Sequence, residues 1–254
     1  MTKIVLHGIN GRMGRALCGM IAPRKDCEVV AGIDTADAPG GDVPVFPSIE
    51  AYGSSGISAD VLIDFSLPAA TRAALAWCGA NGLPCVVCTT GLDEDTLQLL
   101  KNTAQTVAVF FSANMSLGVN LLAKLARMAQ SALPGFDIEI VEKHHRHKLD
   151  APSGTALMLA DTINQQANGR YHYVYDRHSR RAARADDEIG ISAVRGGSIV
   201  GEHEVLFAGP DEVVTLSHTA YSREVFASGA IAAALYLANK GPGQYSMDDF
   251  MEDL

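Results

Sequence analysis

Short apolar runs separated by amphipathic stretches dominate the first half of the chain. Between these runs, residues 69–80 and 93–105 have apolar side chains at helical spacing. Nearly unbroken apolar strands are typical of a parallel sheet covered on both faces, so this half is predicted to be a Rossmann-like, doubly wound α/β domain. The predicted strands are residues 3–7, 28–33, 61–65, 84–88 and 107–111.

Strand candidates in the second half alternate between apolar and polar positions, which indicates a sheet with one wet face. Turns at Gly196-Gly197 and Gly209-Pro210-Asp211 separate three of them. This half is therefore predicted to be an α+β domain on an open sheet, mostly antiparallel or mixed. The candidates are residues 136–140, 189–195, 198–208 and 212–220.

Two further segments complete the expected organisation. Residues 171–188 are rich in Arg, Asp and His and are predicted to form a mobile surface loop. A final helix, at about residues 223–239, is expected to return to the first domain through an apolar face of Val225, Phe226, Ile231 and Leu235. The expected domains are residues 1–115 plus 224–254 for dinucleotide binding, and residues 116–223 for substrate binding and tetramerisation.

The amino-acid composition of the chain argues against several classes of protein. The 254 residues include 29 Asp and Glu against 20 Lys and Arg, a net charge of −9, which argues against nucleic acid as the main partner. Polar residues interrupt the first twenty positions, and no later run approaches eighteen uncharged apolar residues, so neither a signal peptide nor a membrane span is expected. A cytoplasmic protein is the expectation.

The five cysteines are odd in number and lie in apolar contexts, as expected for reduced thiols. Cys85 and Cys88 have the CxxC spacing of a redox pair or half a zinc site. However, the intervening Val-Val predicts a buried strand, on which the two thiols point to opposite faces.

A glycine-rich turn follows the first strand and opens a helix; it reads Gly8-Ile9-Asn10-Gly11-Arg12-Met13-Gly14. The next strand ends at Asp34, about twenty positions later, where an acidic partner for a ribose hydroxyl is expected. The alternative is a turn that only packs a strand on a helix. Ligands of such sheets gather at the carboxyl ends of strands, here Phe65-Ser66, Thr89-Thr90-Gly91 and Ser112-Ala113-Asn114-Met115.

The densest group of proton-bearing side chains is Glu142-Lys143-His144-His145-Arg146-His147-Lys148. Because the chain as a whole is acidic, this cationic run is unlike its surroundings. It leads to Pro152 in the expected first turn of a helix, with Ser153 or Thr155 as cap and Gly154 allowing close approach of a ligand. The segment predicts a carboxylate-binding site with built-in proton donors. The alternatives are a solvated basic face and a metal site of Glu142, His144 and His147.

Together, the glycine turn, Cys88-Thr89-Thr90-Gly91 and residues 142–156 resemble the 4-hydroxy-tetrahydrodipicolinate reductase (dihydrodipicolinate reductase) family. The resemblance covers essentially the whole chain, including Val194-Arg195-Gly196-Gly197 and Val200-Gly201-Glu202-His203. It implies a homotetrameric enzyme of the diaminopimelate route to lysine. Such an enzyme reduces a cyclic dicarboxylic imine with NADH or NADPH and releases water.

The resemblance also implies roles for individual residues. His144 is implied as proton donor and Lys148 as a second donor, with Ser153 in the anion-binding turn and His145, Gly154 and Thr155 in contact with substrate. The implied cofactor residues are Gly8, Ile9, Asn10, Gly11, Arg12 and Met13 for the pyrophosphate, Asp34 for the ribose, and Cys88, Thr89, Thr90, Ser112, Ala113, Asn114 and Met115 beside the nicotinamide. Sequence alone leaves open whether His144 or Lys148 donates the proton.

Thr35 and Leu67 stand where some members of that family carry arginines, so NADH is expected to serve at least as well as NADPH. Two other function classes remain possible at this stage. One is another two-domain dehydrogenase of amino-acid metabolism, of the aspartate or homoserine dehydrogenase type. The other is a non-catalytic nucleotide sensor. The His-His-Arg-His-Lys run argues against both.

Overall fold

The structure is a computed structural model that describes residues 1–35 and 43–253. It divides into two compact units. The first unit is Met1–Met115 with Glu224–Leu254, and the second unit is Ser116–Arg223.

The described strands are β1 Thr2–His7, β2 Cys27–Ile33, β3 Val45–Phe46, β4 Val61–Asp64, β5 Cys85–Val87, β6 Ala108–Phe111, β7 Asp137–His144, β8 His172–Val174, β9 Glu188–Arg195, β10 Gly201–Ala208, β11 Val213–Ala220 and β12 Gly243–Tyr245. The described helices are α1 Arg12–Ile21, α2 Ile49–Gly53, α3 Pro68–Asn81, α4 Glu94–Thr103, α5 Leu117–Ala132, α6 Gly154–Gln166, α7 Glu224–Leu237 and α8 Met247–Glu252.

The first unit is built on a parallel sheet in the order β12-β6-β5-β4-β1-β2-β3. Successive residues of β1 face opposite sides, as a pleated strand requires. Ile4 and Leu6 enter a core shared with α1 and α7, whereas Val5 enters a second core shared with α2, α3 and α4. The predicted doubly wound α/β architecture is confirmed.

The buried face of α7 combines predicted apolar residues with small residues that the apolar pattern did not single out. Ile231 is buried, and Phe226 and Leu235 pack against the same core. Ala230 and Ala234 are completely inaccessible. A Cβ at Gly229 would lie 1.6 Å from the Met115 carbonyl oxygen, so the helix approaches that backbone too closely for a side chain. Close packing therefore selects small residues, which an apolar pattern alone does not reveal.

The two cysteines of the CxxC spacing contact different cores, as predicted. Cys85 belongs to the core beneath α2, α3 and α4, and Cys88 packs against the core beneath α1 and α7. Both thiols are free. Their separation across the sheet removes the basis for a redox pair.

The second unit is built on a mixed sheet in the order β11-β10-β7-β9-β8. Strand β10 is antiparallel to both neighbours, but β7, β9 and β8 run parallel to one another. Of the two arrangements expected, mostly antiparallel or mixed, the mixed one is confirmed. The chain runs from β7 through α6 to β8 and returns through residues 175–187 to the start of β9, so the three strands share one direction. Helices α5 and α6 pack on one face of this sheet.

The segment predicted to form a mobile surface loop, residues 171–188, contains β8 and an arginine network. Arg177 and Arg180 bind the carboxylate of Glu188, which is fully buried. The Arg184 guanidinium donates to the Glu188 carbonyl oxygen at 2.6 Å and to Glu139 at 3.2 Å. Residues 175–187 form neither helix nor strand, as predicted. The short strand β8 and the long-range ion pairs were not predicted, because they leave no periodic pattern in the sequence.

The Glu188 network generates a prediction about acid stability. Hydrogen bonds from Arg177 outweigh burial and, with Arg180, lower the pKa of Glu188 to about 2. An ionised Glu188 therefore stabilises the folded state above the unfolded-state pKa of about 4.3, and that contribution is lost as the pH falls toward 2. Glu188→Gln should lower the urea midpoint of unfolding at pH 7. The difference in midpoint between the variant and wild type should become smaller below about pH 4.3. The exposed Glu212→Gln serves as the control; an equal deficit at all pH values would contradict the assignment.

Candidate active site

The glycine turn of the first unit admits no side chain at two positions. Gly8 has a φ of +81°, and a Cβ there would lie 2.7 Å from the Phe65 carbonyl oxygen. A Cβ at Gly14 would lie 2.3 Å from the Gly8 carbonyl oxygen. The turn therefore brings bare backbone to the carboxyl edge of the sheet. Such a turn lets a pyrophosphate approach main-chain N–H groups.

The start of α1 suits an anion. Its N-cap is Gly11, and within the described residues no side chain caps the helix and no acidic residue occupies its first turn. The positive end of the helix dipole is thus uncompensated, as phosphate binding requires. The carboxylate of Asp34, just after β2, accepts the Asn10 N–H at 2.9 Å. The predicted pyrophosphate and ribose residues are therefore held together, and they fit a dinucleotide.

Two of the predicted cofactor residues have apolar side chains in the core. Ile9 and Met115 are 6% and 5% exposed. Cys88 is partly buried and packs against the same core. Burial, and then the charge of Asp64, raise the pKa of the Cys88 thiol well above its ordinary value. Ile9 and Met115 would therefore meet a cofactor mainly through their backbone.

A buried carboxylate, Asp64, joins the strand ends at the same edge of the sheet. It accepts hydrogen bonds from the Ser66 N–H at 3.0 Å, from the Thr71 hydroxyl and from the Thr89 hydroxyl at 3.1 Å. Nδ1 of His7 lies 3.1 Å away, a close electrostatic contact without hydrogen-bond geometry. Burial alone would raise the pKa of Asp64, but the His7 contact and the hydrogen bonds outweigh it and lower that pKa. Asp64 is not recognisable as a site residue from sequence, because it is part of an otherwise apolar strand.

In the second unit, the register of the sheet places polar side chains in rows on the face that packs against α5 and α6. Glu142 on β7 is paired with His203 on β10, which is paired with His218 on β11. One step further along, His144 on β7 is paired with Arg195 on β9. Alternation along β7 puts Glu142 and His144 on one face, so the rows form a single polar cluster.

Glu142 is the centre of this cluster and is fully buried. Its carboxylate receives two hydrogen bonds from Arg195, both at 2.7 Å, and one from the Ser153 N–H at 3.0 Å. Nδ1 of His144 lies 2.6 Å from Oε2. Burial would raise the pKa of Glu142, but the bonds to Arg195, His144 and Ser153 outweigh it and lower that pKa. The buried carboxylate is therefore ionised and fully partnered.

Ser153 links the cluster to the start of α6. Its hydroxyl accepts the Ala156 N–H at 3.1 Å as the N-cap and lies 2.8 Å from Nε2 of His203. Pro152 consequently precedes the N-cap instead of occupying the first helical turn, which corrects that expectation. Burial, followed by the charge of His144, lowers the pKa of His203 to about 4, so this ring is neutral near pH 7. The Ser153 side chain is buried, and its hydroxyl is already in contact with Ala156 and His203. Its role is therefore to shape the turn.

The remaining predicted substrate residues lie in the turn after β7 and at the start of α6. The Lys148 ammonium is 2.8 Å from an Asp150 carboxylate oxygen, and its side chain is 20% exposed. Nε2 of His145 is 3.5 Å from the Arg223 guanidinium. Burial and then the charge of Arg223 lower the pKa of His145. Gly154 and Thr155 begin α6, directly after the N-cap Ser153. Thus His144, Lys148 and the helix start are near neighbours in the second unit.

The contacts of Glu142 do not support the alternative hypothesis of a metal site. Glu142 is already engaged by Arg195, Ser153 and His144, while His147 lies in the turn beyond the strand. Across residues 1–35 and 43–253, no group of three or more His, Cys, Asp or Glu side chains is placed to hold a metal ion. Within the same ranges, none of the helices is both long enough and apolar enough to span a bilayer.

The Asp64 network leads to a prediction about cofactor affinity. Asp64→Asn should release the Thr89 hydroxyl and the Ser66 backbone from their common acceptor. It should cost about 1–3 kcal/mol of stability, as for other unsatisfied buried groups. If these strand ends bind the cofactor, the NADH dissociation constant should also rise, as fluorescence titration would measure. The exposed Asp60→Asn is the control; a destabilised variant with unchanged NADH affinity would make the network purely structural.

Comparison with known proteins agrees with this architecture. Family models described as "Dihydrodipicolinate reductase, N-terminus" and "Dihydrodipicolinate reductase, C-terminus" match residues 2–115 and 118–251. A relative from Caldanaerobacter subterraneus subsp. tengcongensis, named 4-hydroxy-tetrahydrodipicolinate reductase, is 46% identical over 99% of both chains. A Clostridium tetani relative of the same name is 44% identical and covers 98% of this chain and 96% of its own.

Among solved structures, a dipicolinate-bound dihydrodipicolinate reductase from Paenisporosarcina sp. TG-14 superposes with a TM-score of 0.81. It is 27% identical, with 97% of each chain covered. The family suggested by the glycine turn and the histidine run is thereby confirmed. The chain belongs to the dihydrodipicolinate reductase family.

Proposed function

We propose that this protein reduces 4-hydroxy-tetrahydrodipicolinate to tetrahydrodipicolinate with NADH or NADPH and releases water, a step of lysine synthesis through diaminopimelate. The proposal is carried by one observation: in a chain of this family, the proton-bearing cluster of His144 and Lys148 adjoins the start of α6. The test is an assay of absorbance at 340 nm with the imine generated in situ by its synthase. No loss of absorbance would overturn the proposal.

In the proposed reaction, the residues of the second unit bind the substrate and supply a proton. Loss of water from the 4-hydroxy compound gives the conjugated imine, to which NADH or NADPH would supply a hydride when bound. The nitrogen then gains negative charge, which a nearby proton donor must neutralise. We assign this part to His144, with Lys148 as second donor or charge stabiliser. His145, Lys148 and the N–H groups of Gly154 and Thr155 would bind the two carboxylates of the substrate.

The two units divide these tasks in our proposal. The first unit binds the dinucleotide through the glycine turn, the start of α1 and Asp34, and the second unit binds the dicarboxylate. Another amino-acid dehydrogenase and a non-catalytic sensor are not favoured, because the family models match both parts of the chain. We also propose a cytoplasmic location, in keeping with a biosynthetic role; fractionation of the native cells would test it.

We propose that the enzyme is a homotetramer assembled through the second unit. Val194 and Val213 support this assignment, since they are 44% and 58% exposed on the sheet face opposite α5 and α6. Apolar side chains exposed on a sheet favour burial against another subunit. Sedimentation equilibrium at micromolar concentration would measure the state, and a monomer would contradict the proposal.

The first functional prediction concerns cofactor choice. Asp34 should accept hydrogen bonds from a ribose diol and repel a 2′-phosphate, and Thr35 supplies no compensating charge. NADH should therefore be used at least as well as NADPH. Thr35→Arg should raise kcat/KM for NADPH relative to NADH, with Thr35→Ala as the control. A wild-type kcat/KM for NADPH more than about tenfold above that for NADH would contradict this reasoning.

The second functional prediction concerns Lys148. Lys148→Ala should lower kcat by on the order of a hundredfold, the usual loss for a proton donor or charge stabiliser. NADH affinity should be unchanged, because the glycine turn and Asp34 belong to the first unit. Pyridine-2,6-dicarboxylate should inhibit wild type competitively against the imine.

Lys143→Ala provides a matched control for Lys148→Ala. Lys143 belongs to the same basic run, but its ammonium binds Glu202 and Glu204 at 3.1 and 2.8 Å. The Lys143→Ala variant should therefore keep the wild-type kcat. Retained activity in Lys148→Ala, or a parallel loss of NADH binding, would reject the proposed role of Lys148.

A further inference from the structure

We propose that Glu142 is a positioning residue that fixes the tautomer of His144, and that Arg195 balances the charge of this pair. Nε2 of His144 is then the atom that exchanges a proton with the substrate. This inference rests on the proposed function only for the identity of the substrate. The tautomer of His144 is a property of the protein alone.

The hydrogen bonds around Glu142 determine the direction of proton donation. Both carboxylate oxygens accept from Arg195, and Oε1 also accepts the Ser153 N–H. These donors stabilise the ionised carboxylate, which has no proton to give. Nδ1 of His144, 2.6 Å from Oε2, must therefore carry the proton of that hydrogen bond. In the neutral ring, the only free lone pair is then on Nε2.

The surroundings of Nε2 leave it accessible. A Cβ at Gly201 would lie 3.2 Å from Nε2, so glycine at this position avoids crowding the nitrogen. The His203 ring packs edge-on against the His144 ring, with centroids 5.2 Å apart, and restricts its rotation. The His144 side chain is 12% exposed. The ring is held on one side by Glu142 and His203 and presents Nε2 on the other.

Arg195 is required because a lone carboxylate would over-stabilise the imidazolium. An imidazolium bound to an uncompensated carboxylate is a weaker acid, whereas one next to an unpaired guanidinium is a stronger acid. The charged and titratable groups near His144 are Glu142 on β7, Arg195 on β9, His203 and His218 on β10 and β11, and His145, His147, Lys148 and Asp150 in the turn after β7. Only Glu142 is hydrogen-bonded to the His144 ring among these described groups.

Substitution of the two partners should move the pH–rate profile in opposite directions. For a general acid, kcat/KM falls on the basic side as the donor loses its proton. Glu142→Gln leaves Arg195 unpaired and should move this basic limb to lower pH by roughly one unit or more. Arg195→Gln leaves Glu142 uncompensated and should move it to higher pH. His144→Ala should remove the limb.

Glu139→Gln is the matched control. Glu139 lies on the same strand and is also bound by arginines, Arg177 and Arg184, but it faces the opposite side of the sheet. The pH–rate profile of Glu139→Gln should match that of wild type. General damage to the fold would not shift a limb in opposite directions in two variants. Unchanged limbs, or shifts of the same sign, would overturn the charge-balancing role.

Nitrogen NMR of the imidazoles gives a test that needs no substrate. The resonances of His144 are identified by their loss in His144→Gln. In its neutral form, His144 should be protonated on Nδ1, and in Glu142→Gln it should change toward the Nε2–H tautomer. A wild-type Nε2–H tautomer would overturn the inference even if the imine is reduced. Conversely, an Nδ1–H tautomer in a protein that does not reduce the imine would reject the proposed function alone.

Discussion

The carboxylate of Glu142 must be fully hydrogen-bonded because it is buried, and the second unit is arranged around that requirement. A buried ion without partners is strongly destabilising. Arg195 from β9, Ser153 from the start of α6 and His144 from β7 supply the partners. The same bonds that compensate the charge fix the orientation of the histidine and the position of the helix start. Stability and the geometry of the site therefore depend on one group.

The first unit uses a similar arrangement at Asp64. This carboxylate is also buried at the end of a strand, and it joins β4 to Thr89 after β5 and to Thr71 in α3. The surrounding donors are hydroxyl and backbone groups, with one histidine nearby. Neither acid is exposed enough to contact a ligand strongly. Both instead hold the backbone and side chains at the edges where the proposed ligands bind.

Sequence periodicity predicted the parallel sheet well because strands such as β5 are buried on both faces and contain no charged residue. It also located His144 and the capping Ser153, whose residue types suffice for their chemistry. It did not find Arg195 or His203 as partners of Glu142, although all three lie in conspicuous motifs. Their meeting depends on the register between β7, β9 and β10, and register is set by long-range pairing. The small residues on the buried face of α7 were not predicted, because alanine and glycine contribute little to an apolar pattern.

The mixed topology of the second sheet explains why this cluster can form. Strand β9 runs parallel to β7, so both strands end at the same edge, where Arg195 and His144 are paired. An antiparallel β9 would instead bring the beginning of that strand to His144 and leave Arg195 at the far edge. The connection from β7 to β9, through α6, β8 and residues 175–187, includes the N-cap of α6, Ser153, whose N–H binds Glu142. One connection thus brings both the guanidinium and the helix start to the same buried carboxylate.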